Sequence, residues 1–369
     1  MVKSNKEKTP PNYKDTFGVI PFKERFPWVG GDLQTLRDTF RKEYLPNDES
    51  SKKIEIEIPK LPIGFNTSGN LLALLDLPEG EKLIHGLVLI IHGLGGSSRR
   101  QGLRRMSMKL KEDGFAVLRL NLRGAGNGRS LAGGTYSAQC TSDLLPVIIR
   151  AREICEEISS ITVPRKKTIP LFGVGISLGG TILLNACLEM TGRNLLDGLV
   201  CASSPLDLSE CSKSIERPRN KIYQRWLLHR LIKQTISDPF IDELEDISSF
   251  KLKVKRKRIV TIRDFDEAIT APRWGYRNVS DYYKEASPAN KINEGSNRIP
   301  KTLILHSLDD PWVPSLAAEE LKMKSLRKDL NAEVVLTNHG GHNGFHGIEG
   351  CWGDKLISKW LISLSTNLN

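Results

Sequence analysis

Apolar and polar positions follow two different rhythms along this chain, and the rhythms divide it into elements. Lys53 to Ile58 sets isoleucine at every second position among charged residues, the period of a strand with one face buried. Asn70 to Leu77 follows a Gly/Ser/Asn turn as a second such strand, so the chain opens a sheet in antiparallel fashion. Leu87 to Ile91 is apolar without interruption, as expected of a strand covered by helices on both faces. Arg99 to Asp113 repeats at helical spacing, with Leu103, Met106 and Leu110 on one stripe and Gly114 closing the helix. Ala116 to Asn121 is strand again. Strand, helix, strand at this separation predicts a parallel sheet.

The alternation continues through a helix from Thr141 to about Ser160, a strand over Thr168 to Val174, a further helix, and a short strand at Leu199 to Ala202. Between Leu206 and Pro288 it stops. There Glu216 to Ile236 reads as a helix with an apolar stripe through Ile222, Trp226, Leu227 and Leu231, followed by a charge cluster from Lys251 to Arg258. Strand and helix then resume at Thr302 to His306, Ser315 to Leu326, Ala332 to Leu336 and Trp352 to Ser363. The pattern predicts an α/β fold with a mostly parallel sheet flanked by helices, one domain over 17–369, and a helical cap inserted at about 206–288. Residues 1–16 read as a basic tail. From Phe17 to Tyr44 the large groups Phe22, Phe26, Trp28, Leu33, Leu36 and Phe40 are too many to stay solvated, so this segment is expected to pack on the domain.

Composition narrows the class. With 39% hydrophobic and 26% charged residues in 369, the chain is that of a globular protein with a packed core. No apolar run approaches the ~18 to 20 residues that span a bilayer. The Lys- and Pro-rich start has no apolar stretch of the secretory kind, so a cytoplasmic protein is expected. The six cysteines show neither a CxxC pair nor zinc-ligand spacing, which predicts reduced thiols and no metal. A net charge of +11 favours an acidic partner or a membrane surface. The Lys251 to Arg258 cluster reads first as a solvated cap strand, because Leu252, Val254 and Ile259 interleave the charges; contact with anionic lipid is the alternative. Nucleic acid is not expected, since no stacking aromatics accompany the cluster.

Chemistry concentrates at predicted strand ends. Gly175-Ile176-Ser177-Leu178-Gly179 joins a strand to a helix, and a serine at such an apex needs a positive φ and neighbours without side chains. This is a nucleophile elbow, weak as an isolated pattern. The Asp309-Asp310 pair and Gly340-Gly341-His342 also follow strands, and sites in open α/β sheets form outside the carboxyl ends of strands. The order Ser, Asp, His is that of α/β hydrolases. A serine hydroxyl needs an imidazole to take its proton, and the imidazole needs a carboxylate to set its tautomer. Ser177 is therefore the candidate nucleophile, His342 the base and then acid, with His339 and His346 as neighbours in competition, and Asp309 or Asp310 the orienter. His92-Gly93-Leu94-Gly95 would supply the backbone N–H of Leu94 to an oxyanion, beside that of Leu178. His92 and Arg123 read as structural groups that tie down their loops.

These motifs, with Pro27-Trp28-Val29-Gly30-Gly31-Asp32-Leu33-Gln34-Thr35, Arg263-Asp264-Phe265-Asp266 through Thr270-Ala271-Pro272, and Tyr282-Tyr283, resemble the YheT / ABHD1-2-3 (EMB8-like) group of the α/β-hydrolase fold. Asp32 stands where that group usually has His, and Thr181 where it often has Asn. The stretch Asp310-Pro311-Trp312-Val313-Pro314 is similar to the hydrolase segment in which the orienting Asp precedes a Pro by four residues, which favours Asp310. The resemblance implies a serine carboxylesterase working through an acyl-enzyme, without a cofactor, on a small or lipid-like acyl ester. A lipase or phospholipase on membrane acyl esters and a catalytically silent hydrolase-fold binding protein are the competing readings.

Overall fold

A computed structural model of the chain describes residues 17–45, 50–63, 68–80, 84–162, 168–190, 193, 195–240, 258–293 and 299–368. The expected tail at 1–16 and, apart from Arg258, the basic cluster at 251–258 lie outside the described residues.

Eight strands form one sheet in the order β1-β2-β4-β3-β5-β6-β7-β8. They are β1 (Lys52–Ile58), β2 (Gly69–Asp76), β3 (Leu87–Ile91), β4 (Ala116–Leu120), β5 (Leu171–Ile176), β6 (Gly198–Ala202), β7 (Thr302–Ser307) and β8 (Ala332–Thr337). Strand β2 runs antiparallel to both β1 and β4, and every other pairing is parallel. The central strands β3, β4, β6 and β7 are buried at every position, whereas β1 buries only Ile54, Ile56 and Ile58. Continuous and alternating hydrophobicity thus correspond to strands covered on two faces and on one. Each apolar side chain buried in this way contributes about 1.5–3 kcal/mol.

Helices cover both faces. On one side α2 (Gln101–Glu112) and the C-terminal α10 (Trp352–Leu368) pack Leu103, Met106, Leu110, Leu356, Ile357 and Trp360 against the sheet. On the other, α3 (Thr141–Thr162), α4 (Leu178–Glu189) and α9 (Leu316–Leu326) bury Val147, Ile154, Ile182, Leu183, Ala318 and Leu321. Strand β5 begins at Leu171, later than expected, because Pro170 has no N–H to give to the ladder and the Ile169 amide donates to Ser159 Oγ instead.

Between β6 and β7 the chain places α5 (Leu208–Ile215), α6 (Lys221–Ile236), a helical run from Ile262 to Arg273 through a π-turn at Asp266–Thr270, α7 (Val279–Ala286) and α8 (Pro288–Asn293). The predicted stripe on α6 needs correction. Its inward face is Gln224, Leu227, Leu228, Leu231 and Thr235, while Ile222 is 81% and Trp226 43% exposed. Positions 224, 227, 228, 231 and 235 share one helical face, and 222 points away from it.

The N-terminal segment also differs from expectation. Val19 is buried and Phe22 packs on Phe345 and Trp352, but Phe26, Phe40 and Tyr44 are exposed. Its helix α1 (Gly31–Phe40) is held by polar bonds rather than by its apolar groups, as the site makes clear.

Candidate active site

The β5–α4 junction holds Ser177 at φ 54° and ψ −127°. Such a left-handed conformation for a residue with a side chain costs on the order of 1–3 kcal/mol and persists only where neighbours impose it. Here the imposing contacts are backbone. A Cβ on Gly175 would lie 2.2 Å from the backbone N of Gly180, and one on Gly179 would lie 2.3 Å from the Ile91 carbonyl oxygen. The Ser177 N–H donates to the Ala202 carbonyl at 2.8 Å, which anchors the apex to β6.

Beyond β8, Gly340 and Gly341 take φ values of 138° and 55° and turn His342 inward. Its Nε2 lies 2.9 Å from Ser177 Oγ, and its Nδ1 lies 2.8 Å from Asp310 Oδ2. The other oxygen of Asp310 accepts from the N–H groups of Trp312 at 2.8 Å and Val313 at 2.9 Å, so the carboxylate cannot rotate freely. Burial acts to raise the Asp310 carboxyl, but the charge and hydrogen bond of His342, with His306 and the Val313 N–H, outweigh it and hold it below the ordinary carboxylate range.

Asp309 does different work. Its Oδ1 accepts from the Gly341 N–H at 2.8 Å and from Ser307 Oγ at 2.9 Å, which fastens the histidine loop to β7. His339 is exposed and 3.3 Å from Asp309 Oδ2, and His346 points to Asp38 at 3.2 Å. Of the three histidines, His342 is the one in hydrogen-bond contact with Ser177.

Two residues that sequence reasoning did not single out complete this loop's support. Thr35 Oγ1 accepts from the His342 N–H at 2.8 Å, and the buried Gln34 brackets the His346 backbone, donating from Nε2 to its carbonyl at 3.0 Å and accepting its N–H at 2.8 Å. Both lie on α1, over 300 positions earlier in the chain. Their only sequence signal is membership of the Gly-Gly-Asp-Leu-Gln-Thr motif. Asp32 of the same motif accepts from Tyr223 Oη and Arg219 Nη2 on the inserted segment, both at 2.9 Å.

The loop after β3 runs against the apex, since a Cβ on Gly93 would lie 2.8 Å from Ser177 Cβ. His92 is fully buried, accepts the Leu122 N–H at Nε2 and donates from Nδ1 to the Gly93 carbonyl, a pattern that only the neutral ring can satisfy. Burial lowers its pKa to about 4, with the Gly93 carbonyl opposing and Arg100 assisting. Leu94 and Leu178 line the same cavity as Ser177 and His342, and among the described residues neither of their amide N–H groups donates to a protein acceptor. Arg123 is buried and forked onto Asp143 at 2.8 and 2.7 Å, with further bonds to the Gly133 and Pro59 carbonyls. It secures the loop after β4.

The cavity measures about 340 Å³. Apolar groups such as Leu208, Ile215, Leu227, Leu231 and Phe265 dominate the part beneath the inserted helices. Two groups of acids and histidine lie close enough for a cation among the described residues, Glu24/Asp309/His339 and Asp38/Glu43/His346. Asp38 is paired with Arg105, and Asp309 is occupied by Gly341 and Ser307, so neither group is a free donor set.

A strained serine at a strand-to-helix apex, in an eight-stranded sheet of this order, defines an α/β hydrolase. A profile of the family described as "Serine aminopeptidase, S33" matches residues 83–347, and the chain belongs to that family. Relatives place it in the YheT/ABHD group. It is 29% identical to bovine "Phospholipase ABHD3" over 268 residues, covering 72% of this chain and 59% of that protein. It is 36% identical to "Putative esterase YheT" of Escherichia coli K12 over 203 residues, covering 53% of this chain and 55% of that protein. The chain thus spans less than two thirds of these relatives' lengths. The crystal structure of 2,6-dihydroxy-pseudo-oxynicotine hydrolase shares the fold, with a TM-score of 0.51 at 13% identity over 92% of this chain and 73% of that one.

Proposed function

We propose that this chain is a serine hydrolase of carboxylic acyl esters. The observation that carries the reading is the continuous hydrogen-bonded line Ser177–His342–Asp310 at the wall of a mainly apolar cavity. In this reading Ser177 Oγ attacks the ester carbonyl while His342 Nε2 takes its proton, with Asp310 holding the Nδ1–H and the imidazolium. The tetrahedral oxyanion rests on the Leu94 and Leu178 amides. Collapse expels the alcohol with the proton from His342. Water, deprotonated by His342, then releases the acid from the acyl-enzyme.

The apolar lining supports an acyl chain, including a lipid-like one, as the group held. The family's descriptive title names an aminopeptidase, and the two chemistries separate experimentally. Fluorophosphonate should label the wild type on Ser177, and p-nitrophenyl esters of fatty acids should turn over at least about a hundredfold faster in kcat/KM than p-nitrophenyl esters of amino acids, a comparison at one leaving group in which the discrimination is that of the pocket. Ser177→Ala should abolish both labelling and hydrolysis. Retained turnover in that variant, or absence of labelling in the wild type, sinks the proposal. We further propose that the segment at about 206–288 acts as the cap that shapes this cavity. Among the described residues no helix is long and apolar enough to cross a membrane.

A further inference from the structure

Helix α6 has two faces of different character. Its inner face carries Leu227 and Leu231 into the wall of the catalytic cavity, joined there by Gln234. Its outer face displays Lys221, Ile222, Arg225, Trp226, His229, Lys233 and Ile236 to solvent, and the helix contains no Asp or Glu at any of its 16 positions. Lys221, Arg225 and Lys233 have no carboxylate partner among the described residues. Trp226 belongs to both faces: it is 43% exposed and also lines the cavity, so α6 borders the cavity's mouth. Arg230 sits 4.9 Å over its ring and donates to the Gly95 carbonyl, which fixes the indole at that rim. Beside α6, joined to it through Asp32, α1 adds the exposed Leu33 and Phe40.

We propose that the outer face of α6 docks on an anionic lipid surface and seats the mouth of the cavity at the headgroup level, so that the ester enters from the membrane. The interleaving decides the partner. Lys221, Arg225 and Lys233 meet lipid phosphates and carboxylates while Ile222, Trp226 and Ile236 enter the acyl boundary, the arrangement of a helix lying in the interface plane. A second copy of the chain would bring two cationic faces together, and a nucleic acid would leave the isoleucines against a polar backbone. The proposal rests on the ester-hydrolase reading for its purpose, but its test does not require turnover.

The test is sedimentation of the Ser177→Ala protein with vesicles of phosphatidylcholine alone or with about 30% phosphatidylserine, the composition that creates the surface potential. Binding is expected to the anionic vesicles and to fall steeply as salt rises from about 0.1 to about 0.5 M. Each basic group near such a surface is worth about fivefold in partitioning, so Lys221→Gln/Arg225→Gln/Lys233→Gln should bind about a hundredfold more weakly. On the active background the same triple variant should hydrolyse p-nitrophenyl acetate at the wild-type rate, which reports an intact fold and site. Ile222→Ser/Ile236→Ser should weaken binding while leaving its salt dependence in place. Equal binding by the triple variant and the parent, or no binding of the parent to anionic vesicles, overturns the docking and leaves the ester chemistry untouched. Competition by duplex DNA as effective as that by anionic lipid would overturn it in favour of a general polyanion site.

Discussion

The Ser177 apex and the outer face of α6 stand on either side of one cavity and are built on opposite principles. At the apex the side chains of the hydrogen-bonded line are committed: Asp310 takes three hydrogen-bond donors, His342 is gripped at Nδ1, Nε2 and its own amide, and His92 uses both ring nitrogens. On the outer face of α6, Lys221, Arg225 and Lys233 have no carboxylate partner among the described residues, and apolar groups face solvent. Complete pairing in a low-dielectric interior fixes geometry to fractions of an ångström, which proton transfer requires. Unpaired charge on a surface fixes nothing in the chain itself and is available to a partner.

Perturbing the paired side should therefore produce large effects on rate, and the largest after loss of Ser177 should come from Asp310. Asp310→Asn leaves the shape but presents the wrong hydrogen-bonding pattern to Nδ1, and kcat should fall by about 10⁴-fold with little change in KM. Asp309→Asn, which disturbs only the loop's tether, should cost far less; equal losses in the two would show that the orienting role is misassigned.

Thr35→Val comes next. It leaves the buried His342 N–H without its acceptor, a change worth about 1–3 kcal/mol, so kcat should drop by roughly tenfold to a hundredfold. KM should stay within about threefold and Thr35→Ser should restore the rate, which a general loss of fold would not allow. Unchanged kcat in Thr35→Val would remove α1 from the paired side of the comparison.

A pH effect of similar size is expected from His92. Below its ordinary value of 6.5 the unfolded chain binds a proton that the buried ring does not bind until about pH 4. Stability present above pH 6.5 is thus lost progressively as pH falls towards 4, by roughly 3 kcal/mol in all. Urea unfolding of wild type and His92→Gln at neutral pH and near pH 5 checks this: the variant's stability should vary less with pH, and parallel losses would exclude His92 as the cause.

The smallest effect should come from Asp32→Ala, which cuts the exposed bonds joining α1 to Arg219 and Tyr223 between the two regions. Exposed ion pairs of this kind contribute less than about 1 kcal/mol, so the melting temperature should move by no more than a few degrees. A larger shift would mean that the two regions support each other's fold.

Legibility from the sequence followed the range of the interactions. The strands β3 and β7 and the turn at Ser177 were readable because the demands on them are local: continuous burial needs continuous apolar residues, and a positive φ needs glycine on both sides. The choice of Asp310 over Asp309 came from the likeness of Asp310 to Pro314 to a hydrolase segment and not from local pattern, since both follow β7; three-dimensional contact separates the one on the imidazole from the one on Ser307 and Gly341. Gln34 and Thr35 escaped for the same reason. The face of α6 was misjudged at Ile222 because a wheel shows which residues share a side, but what covers that side is decided by the neighbouring helices and sheet.

By itself, then, the sequence determined the order of strands and helices, the strained serine, and the histidine that follows a pair of glycines, all through short-range sterics and burial. The tertiary structure decided which carboxylate orients that histidine, that an N-terminal helix grips its loop, and that α6 turns cations and isoleucine outward. Those depend on contacts between segments up to hundreds of residues apart, whose energies belong to pairs of residues and appear in neither one alone.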